Sequence, residues 1–190
     1  MNPKPNERTS RIDFVHVGLT KEEVNCALNY ALQVKREREL RDAEPLPQDL
    51  VETGSFAEQA MMKKYNLSRL IPYSPDCDFI FPNGTKVDSK AKYVNKINPY
   101  GDHQNEIYLR GIDQETDYYV FSQVCKNTNT VCIVGYISKE EFLKYNDFVK
   151  SGELKPGELF GKAAKYDCYC LQCKYLKPMK YFLTEVNSKI

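Results

Sequence analysis

The sequence predicts a single-domain α/β protein with a mixed central sheet flanked by helices. Three observations carry that expectation. Helical segments with apolar periodicity occupy the first third of the chain, the first of them opened by a capping box. A β-hairpin pattern covers residues 75–90. Strand-like runs follow between residues 106 and 136, and a second capping box comes directly after them. A length of 190 residues suits one domain with a proper core, residues 1–190.

Met1 to Arg11 is polar and proline-containing and reads as a flexible tail, not a secretory signal. Thr20-Lys21-Glu22-Glu23 opens the first helix. Val24, Leu28, Ala31, Leu32 and Val34 then form an apolar stripe at helical spacing. Its end, Lys35 to Arg41, is highly charged with mixed sign and reads as a solvated face with intrahelical pairs; the alternative is an arginine face that meets phosphate. Pro45 and Pro47 break the chain, and a second helix runs from about Gln48 to Tyr65. Asn66 to Ser74 is a connector. After the hairpin, Val94 to Asn105 is a loop rich in Asn, Pro and Gly that contains His103. Strands are expected near Glu106–Arg110, Asp117–Cys125 and Thr130–Tyr136. Ser138-Lys139-Glu140-Glu141 caps a short helix through about Phe148. Ser151 to Ala164 is a loop, and a last strand, Asp167 to Tyr175, leads into a short terminal segment.

The hairpin is the most informative stretch. Pro82-Asn83-Gly84 suits a three-residue loop, a type I turn followed by a left-handed glycine. That loop makes Phe81 and Thr85 the closing pair and sets Asp78 opposite Asp88. Residues two apart share a face of a strand. Asp76, Asp78, Asp88 and Lys90 therefore share one face, and Cys77, Phe79, Phe81, Val87 and Ala91 the other. A two-residue Asn-Gly turn would pair Pro82 with Thr85 and put Asp78 and Asp88 on opposite faces. The three-residue loop is preferred because proline suits a turn better than a strand end and because only this register separates charged from apolar residues. The apolar face is core. The charged face is either solvated surface or a metal site.

Two carboxylates one strand spacing apart repel unless a cation lies between them. Hard oxygens at that spacing suit Mg²⁺ or Mn²⁺, which would lower the pKa of a bound water and stabilise charge on a phosphate. A lysine further along the same face could orient that water or balance developing negative charge.

Asp78, a gap of nine residues, then Asp88-Ser89-Lys90 resembles the motif of the PD-(D/E)xK nuclease superfamily. Gly54 to Met62, with Glu58 at its centre, resembles the small-residue helix that bears a metal-binding Glu in many members. Ile80 to Ala91 looks like the family hairpin, and Asp117-Tyr118-Tyr119-Val120-Phe121 like the core strand that follows. The resemblance covers residues 50 to 137. Asp88 replaces the commoner Glu. Pro75-Asp76 matches the letters of the leading Pro-Asp pair, whereas Asp78 has the better spacing, so Asp78 is carried over and Asp76 is the alternative ligand. The resemblance implies a restriction-endonuclease-like core and metal-dependent hydrolysis of DNA, endonucleolytic in character. It implies Glu58, Asp78 and Asp88 as metal ligands, with the Ser89 carbonyl adding to them, and Lys90 as the residue that positions water or stabilises the phosphate. Lys86, Lys92 and Lys96, near the hairpin, are candidate backbone contacts to DNA; their other reading is solvated lysines.

Other features set bounds. No run of about 18 apolar residues exists, so no membrane span is expected. Seven cysteines, an odd number, without an export signal point to a reduced, cytoplasmic setting. A formal net charge of +1 supplies no global basic excess for nucleic acid, so binding would rest on local patches and metal. Cys168, Cys170 and Cys173 could with Cys26 hold an iron–sulfur cluster or zinc, as in some members of the family; their C-x-C-x-x-C spacing departs from the usual trio, and buried structural thiols are the preferred reading. Gly157 to Ala163 resembles a P-loop only superficially, with three residues between its glycines where four are needed. Two histidines make a histidine-based site hard to build. A second function class is a non-catalytic nucleic-acid- or protein-binding module on the same scaffold. Double-strand cutting with one site per chain would favour a homodimer.

Overall fold

The computed structural model describes residues 14–41, 43, 46–70, 74, 76–98, 104–155 and 163–188, with the backbone alone at Arg110. The expected tail, His103 and the glycines of the P-loop-like stretch lie outside these residues. The first helix, α1, spans Lys21–Leu40, and its Thr20 cap forms both bonds of the capping box with Glu23. Ala27, Ala31 and Val34 are its buried residues; Leu32, expected in the apolar stripe, is 46% exposed. Helix α2, Gln48–Tyr65, begins after Pro47 and ends at Asn66 in the left-handed conformation. It buries Phe56, Ala57, Ala60 and Met61 against the sheet.

The sheet is mixed and five-stranded, with spatial order β1-β6-β5-β3-β2. The strands are β1 (Val15–Gly18), β2 (Phe79–Ile80), β3 (Lys86–Tyr93), β5 (Tyr118–Cys125) and β6 (Thr130–Ser138). Strands β3 and β5 run parallel, and the other pairings are antiparallel. Strand β1 was not expected: four residues next to a polar segment carry little periodic signal, and pairing with β6 supplies the reason it forms.

The expected mixed sheet with helices is present, and beside it stands a second, three-stranded sheet of order β4-β8-β7 that the sequence pattern does not announce. Its strands are β4 (Gln104–Tyr108), β7 (Asp147–Val149) and β8 (Cys168–Gln172). Residues expected at the end of a helix through Phe148 thus belong to a strand. Helix α3 is only Lys139–Tyr145, because Asn146 adopts an extended conformation and the next three residues pair with β8. The last strand is also shorter than expected, since Cys173–Tyr175 tightens into a 3₁₀ turn.

Alternation along β5 and β6 gives the large sheet two apolar faces. One packs Val87, Tyr118, Val120, Val124, Val131 and Ile133 against α2 and the C-terminal helix α4 (Phe182–Asn187). The other packs Tyr119, Phe121, Cys132 and Val134 against Phe142 of α3 and Ile107 and Leu171 of the small sheet. Among the described residues no helix is long and apolar enough to cross a membrane.

The C-terminal segment crosses β6 where there is no side chain to meet it. Tyr136 and Lys177 exchange backbone hydrogen bonds, and a Cβ at Gly135 would stand 2.8 Å from both Leu176 Cβ and the Lys177 carbonyl oxygen. Backbone cannot retreat as a flexible side chain can. Gly135→Ala is therefore expected to cost about 1–3 kcal/mol, the usual range for overpacking. In a chain of this size that lowers Tm by roughly 2–4 °C per kcal/mol. An unchanged melting curve would show that this crossing is not a tight contact.

Candidate active site

The hairpin adopts the three-residue loop. Phe79 pairs with Val87 and Ile80 with Lys86, so Phe81 and Thr85 close the turn and Asp78 stands opposite Asp88. Gly84 has φ +83° and its N–H donates to the Phe81 carbonyl at 2.8 Å. Asn83 fixes the loop twice over. Its Oδ1 accepts from Thr85 N at 3.1 Å, and its Nδ2 donates to the Val186 carbonyl of α4 at 2.9 Å. The apolar face is core as expected, with Cys77, Phe79, Phe81 and Val87 buried.

The charged face is not ordinary solvated surface. Asp88 is 3% exposed and Ser89 is buried, while Asp78 and Lys90 are half-buried. Lys90 Nζ lies 2.5 Å from Asp88 Oδ2, a charge contact whose alignment does not make it a hydrogen bond, so that buried oxygen has no hydrogen-bond donor. Lys90 Nζ does donate to Gln114 Oε1 at 2.6 Å. Asp78 Oδ2 accepts from the Ser89 backbone N–H at 2.7 Å, which ties the two strands together at the level of the acids.

Glu58 is buried on α2 beside them. Arg69, in the connector after α2, donates from Nε to Glu58 Oε2 at 3.0 Å and from Nη2 to the Ser55 carbonyl at 2.7 Å. The face of its guanidinium covers the Tyr30 ring of α1 at 4.1 Å. Burial pushes Glu58 up to about 7; the Arg69 charge and hydrogen bond oppose this, and the Asp88 charge adds to it. Burial also holds Asp78 well above the usual carboxylate range, reinforced by the charges of Glu58 and Asp88 and opposed by the Ser89 N–H and Lys90. The three acids thus form one electrostatic cluster. Asp76 is half-buried just before β2; its charge acts on Cys77, as those of Asp78 and Asp88 do, and on Lys86.

The remaining candidates are distributed unevenly. Lys86 is paired with Glu115 at 2.8 Å, and Lys92 donates to the Gln104 carbonyl at 2.6 Å, joining β3 to β4. Lys96 is exposed. Cys168 and Cys170 lie side by side on one face of β8 with sulfurs 3.7 Å apart, packed with Val149 and Ala164. Cys173 belongs to a different apolar cluster, where Asn105 Nδ2 donates to its sulfur at 3.2 Å, and Cys26 is exposed on α1. None of the seven cysteines forms a disulfide. Among the described residues no three Asp, Glu, His or Cys side chains converge closely enough to enclose a metal ion.

Sequence reasoning missed Arg69, Tyr30 and Gln114. Arg69 sits in a stretch without periodicity, and its role follows only from its position over Glu58. No protein-family model matches the chain, and no curated protein matches it in sequence.

The acid cluster has a consequence for stability. An acid whose folded pKa is raised binds more protons folded than unfolded, so its contribution is favourable at low pH and is lost as pH rises above about 3.8, the ordinary value for Asp. Asp78→Asn keeps an acceptor for Ser89 N–H and removes the repelling charge. The variant is expected to match the wild type near pH 3 and to exceed it by about 1 kcal/mol, a few degrees in Tm, at pH 8. A variant that melts lower at pH 8 would show that the Asp78 charge is held favourably.

Proposed function

We propose that this chain is a divalent-metal-dependent nuclease with a restriction-endonuclease-like core, hydrolysing phosphodiester bonds in DNA. The observation that carries the reading is the hairpin register. It opposes Asp78 to Asp88 and leaves Lys90 on the same face, where burial first, and then the charges of Glu58 and Asp88, raise the Asp78 carboxyl. A surface hairpin with ordinary charges has no need to bury carboxylates in this way. The order of parts also fits the expected motif: Glu58 on a helix, the acid-bearing hairpin, then β5 paired in parallel with β3.

The chemistry of the donor set, three carboxylates, suits a hard cation, although their side chains do not converge on one point in this structure. Asp88 Oδ2 is buried with only the Lys90 ammonium against it, and burial raises both Glu58 and Asp78. Glu58, Asp78 and Asp88 would hold Mg²⁺ or Mn²⁺, with the Ser89 carbonyl as a further oxygen. When bound, such an ion supplies charge stabilisation at phosphate and acidifies water. Lys90 holds its ammonium beside Asp88, where it can orient a water or meet the negative charge that develops on phosphate. Lys96 is the freest of the three proposed backbone contacts, since Lys86 and Lys92 already serve the fold. Free thiols suit a cytoplasmic location, and cutting both strands would call for a homodimer.

One observation favours a second reading, a binding module that keeps the scaffold: Glu58 is already ion-paired with a buried arginine. Metal dependence separates the two. A nuclease should cut circular and linear DNA with Mg²⁺ or Mn²⁺ and not with EDTA. Lys90→Ala should lose about 10²–10³-fold in rate with the fold intact. A binder should show no cutting and should keep its DNA affinity in Asp88→Asn. Lys90→Ala with full activity and only reduced stability would overturn the nuclease assignment.

A further inference from the structure

Lysine is a poor tool for precise chemistry unless something fixes it. Its ammonium rides on four methylenes and carries three rotatable donors. Lys90 is fixed by a loop distant in sequence. Gln114 Oε1 accepts from Lys90 Nζ at 2.6 Å, a second contact beside the one to Asp88. The loop that presents Gln114 is clipped from several directions. Its backbone carbonyl accepts from Lys139 Nζ at 2.6 Å and from Thr116 N at 2.9 Å. Thr116 Oγ1 donates to the Lys86 carbonyl at 3.1 Å, and Asp117 Oδ2 accepts from Lys86 N at 2.8 Å. Asp117 N donates back to the Lys86 carbonyl at 2.9 Å. The loop is thereby docked onto β3 four residues before the lysine it holds.

Space at the ammonium is also reserved. A Cβ at Gly111 would lie 3.4 Å from Lys90 Nζ, 3.5 Å from Gln114 Oε1 and 3.0 Å from Ile107 Cγ2, so a side chain there would crowd the pair. The Tyr119 ring, with its centroid 6.0 Å from Nζ, forms a further wall. The acceptor is a neutral amide. A carboxylate would hold the ammonium more strongly, and it would also place another negative charge where phosphate must approach.

We propose that Gln114 is the positioning residue for Lys90 in phosphodiester hydrolysis, holding the ammonium at working geometry without adding negative charge. The proposal rests on the nuclease reading of Lys90. Its test compares wild type, Lys90→Ala, Gln114→Met and Gln114→Glu in Mg²⁺-dependent cleavage of a defined DNA duplex, with Tm measured for each. Both Gln114 substitutions keep the backbone carbonyl that Lys139 uses. Gln114→Met is expected to lower kcat about 10–100-fold with KM nearly unchanged. Gln114→Glu is the discriminating variant: it should match or exceed wild type in Tm, because the lysine gains an ion pair, yet lose kcat by at least about tenfold. If Gln114 merely satisfied a half-buried lysine, the Glu variant would keep full turnover, and that result would overturn the proposal. Wild-type kcat in Gln114→Met would overturn it too. Failure of the underlying reading looks different: wild type does not cut, or Lys90→Ala still does.

Discussion

The register of one hairpin is the constraint on which the rest of this structure depends. Side chains on a strand alternate with a period of two, so a slip of one residue exchanges every inward group for an outward one. Here such a slip would set Asp88 and Lys90 into the apolar core and place Phe79 and Val87 among the acids. Three local devices forbid it. Gly84 takes the left-handed conformation that ends the turn, Asn83 bonds both its own loop and α4, and Asp78 accepts from Ser89 across the strands. The acids are therefore placed by turn chemistry and by a helix from the far end of the chain. Their mutual attraction plays no part, since they repel.

Burying like charges side by side is unfavourable, and the fold tolerates it because β3 is held firmly elsewhere. It lies between β2 and β5, with α2 packed on its apolar face. Lys92 ties it to β4 and the Lys86 backbone ties it to the loop before β5. Strain of this kind persists where the surroundings over-determine it, which is a pattern of functional sites more than of structural ones.

Much of this was legible in the sequence, and the parts that were not share a cause. Helix α1 announced itself through Thr20 and Glu23, and the hairpin through Pro82, Asn83 and Gly84, because caps and turns are decided by neighbours in sequence. The face carrying Asp78, Asp88 and Lys90 follows from counting alone. Strand β7 was read as helix because Asp147–Val149 has no pattern of its own and is strand only by pairing with β8. Arg69 and Gln114 were missed for the same reason. Each meets a site residue 11 or 24 positions away, and nothing local distinguishes either from any other polar residue in a loop.

Charge balance links these long-range partners to the proposed chemistry. With all groups ionised, Glu58, Asp78 and Asp88 oppose Arg69 and Lys90, leaving one negative charge in excess. Alone, the cluster can relieve that excess by keeping a proton; burial is the main cause that raises Glu58 and Asp78, and the neighbouring acid charges push in the same direction. A divalent cation would relieve it differently, turning an excess of one negative charge into one positive. That single positive charge complements the single negative charge of a phosphodiester. A third basic partner in place of Gln114 would make the protein's own groups neutral, and a carboxylate there would require one more proton. A neutral amide leaves the balance where a divalent ion and a phosphate together bring it to zero. On this argument Arg69 would be no rival to the proposed metal: it offsets the surplus charge of Glu58, so that an ion bound there would answer to the substrate.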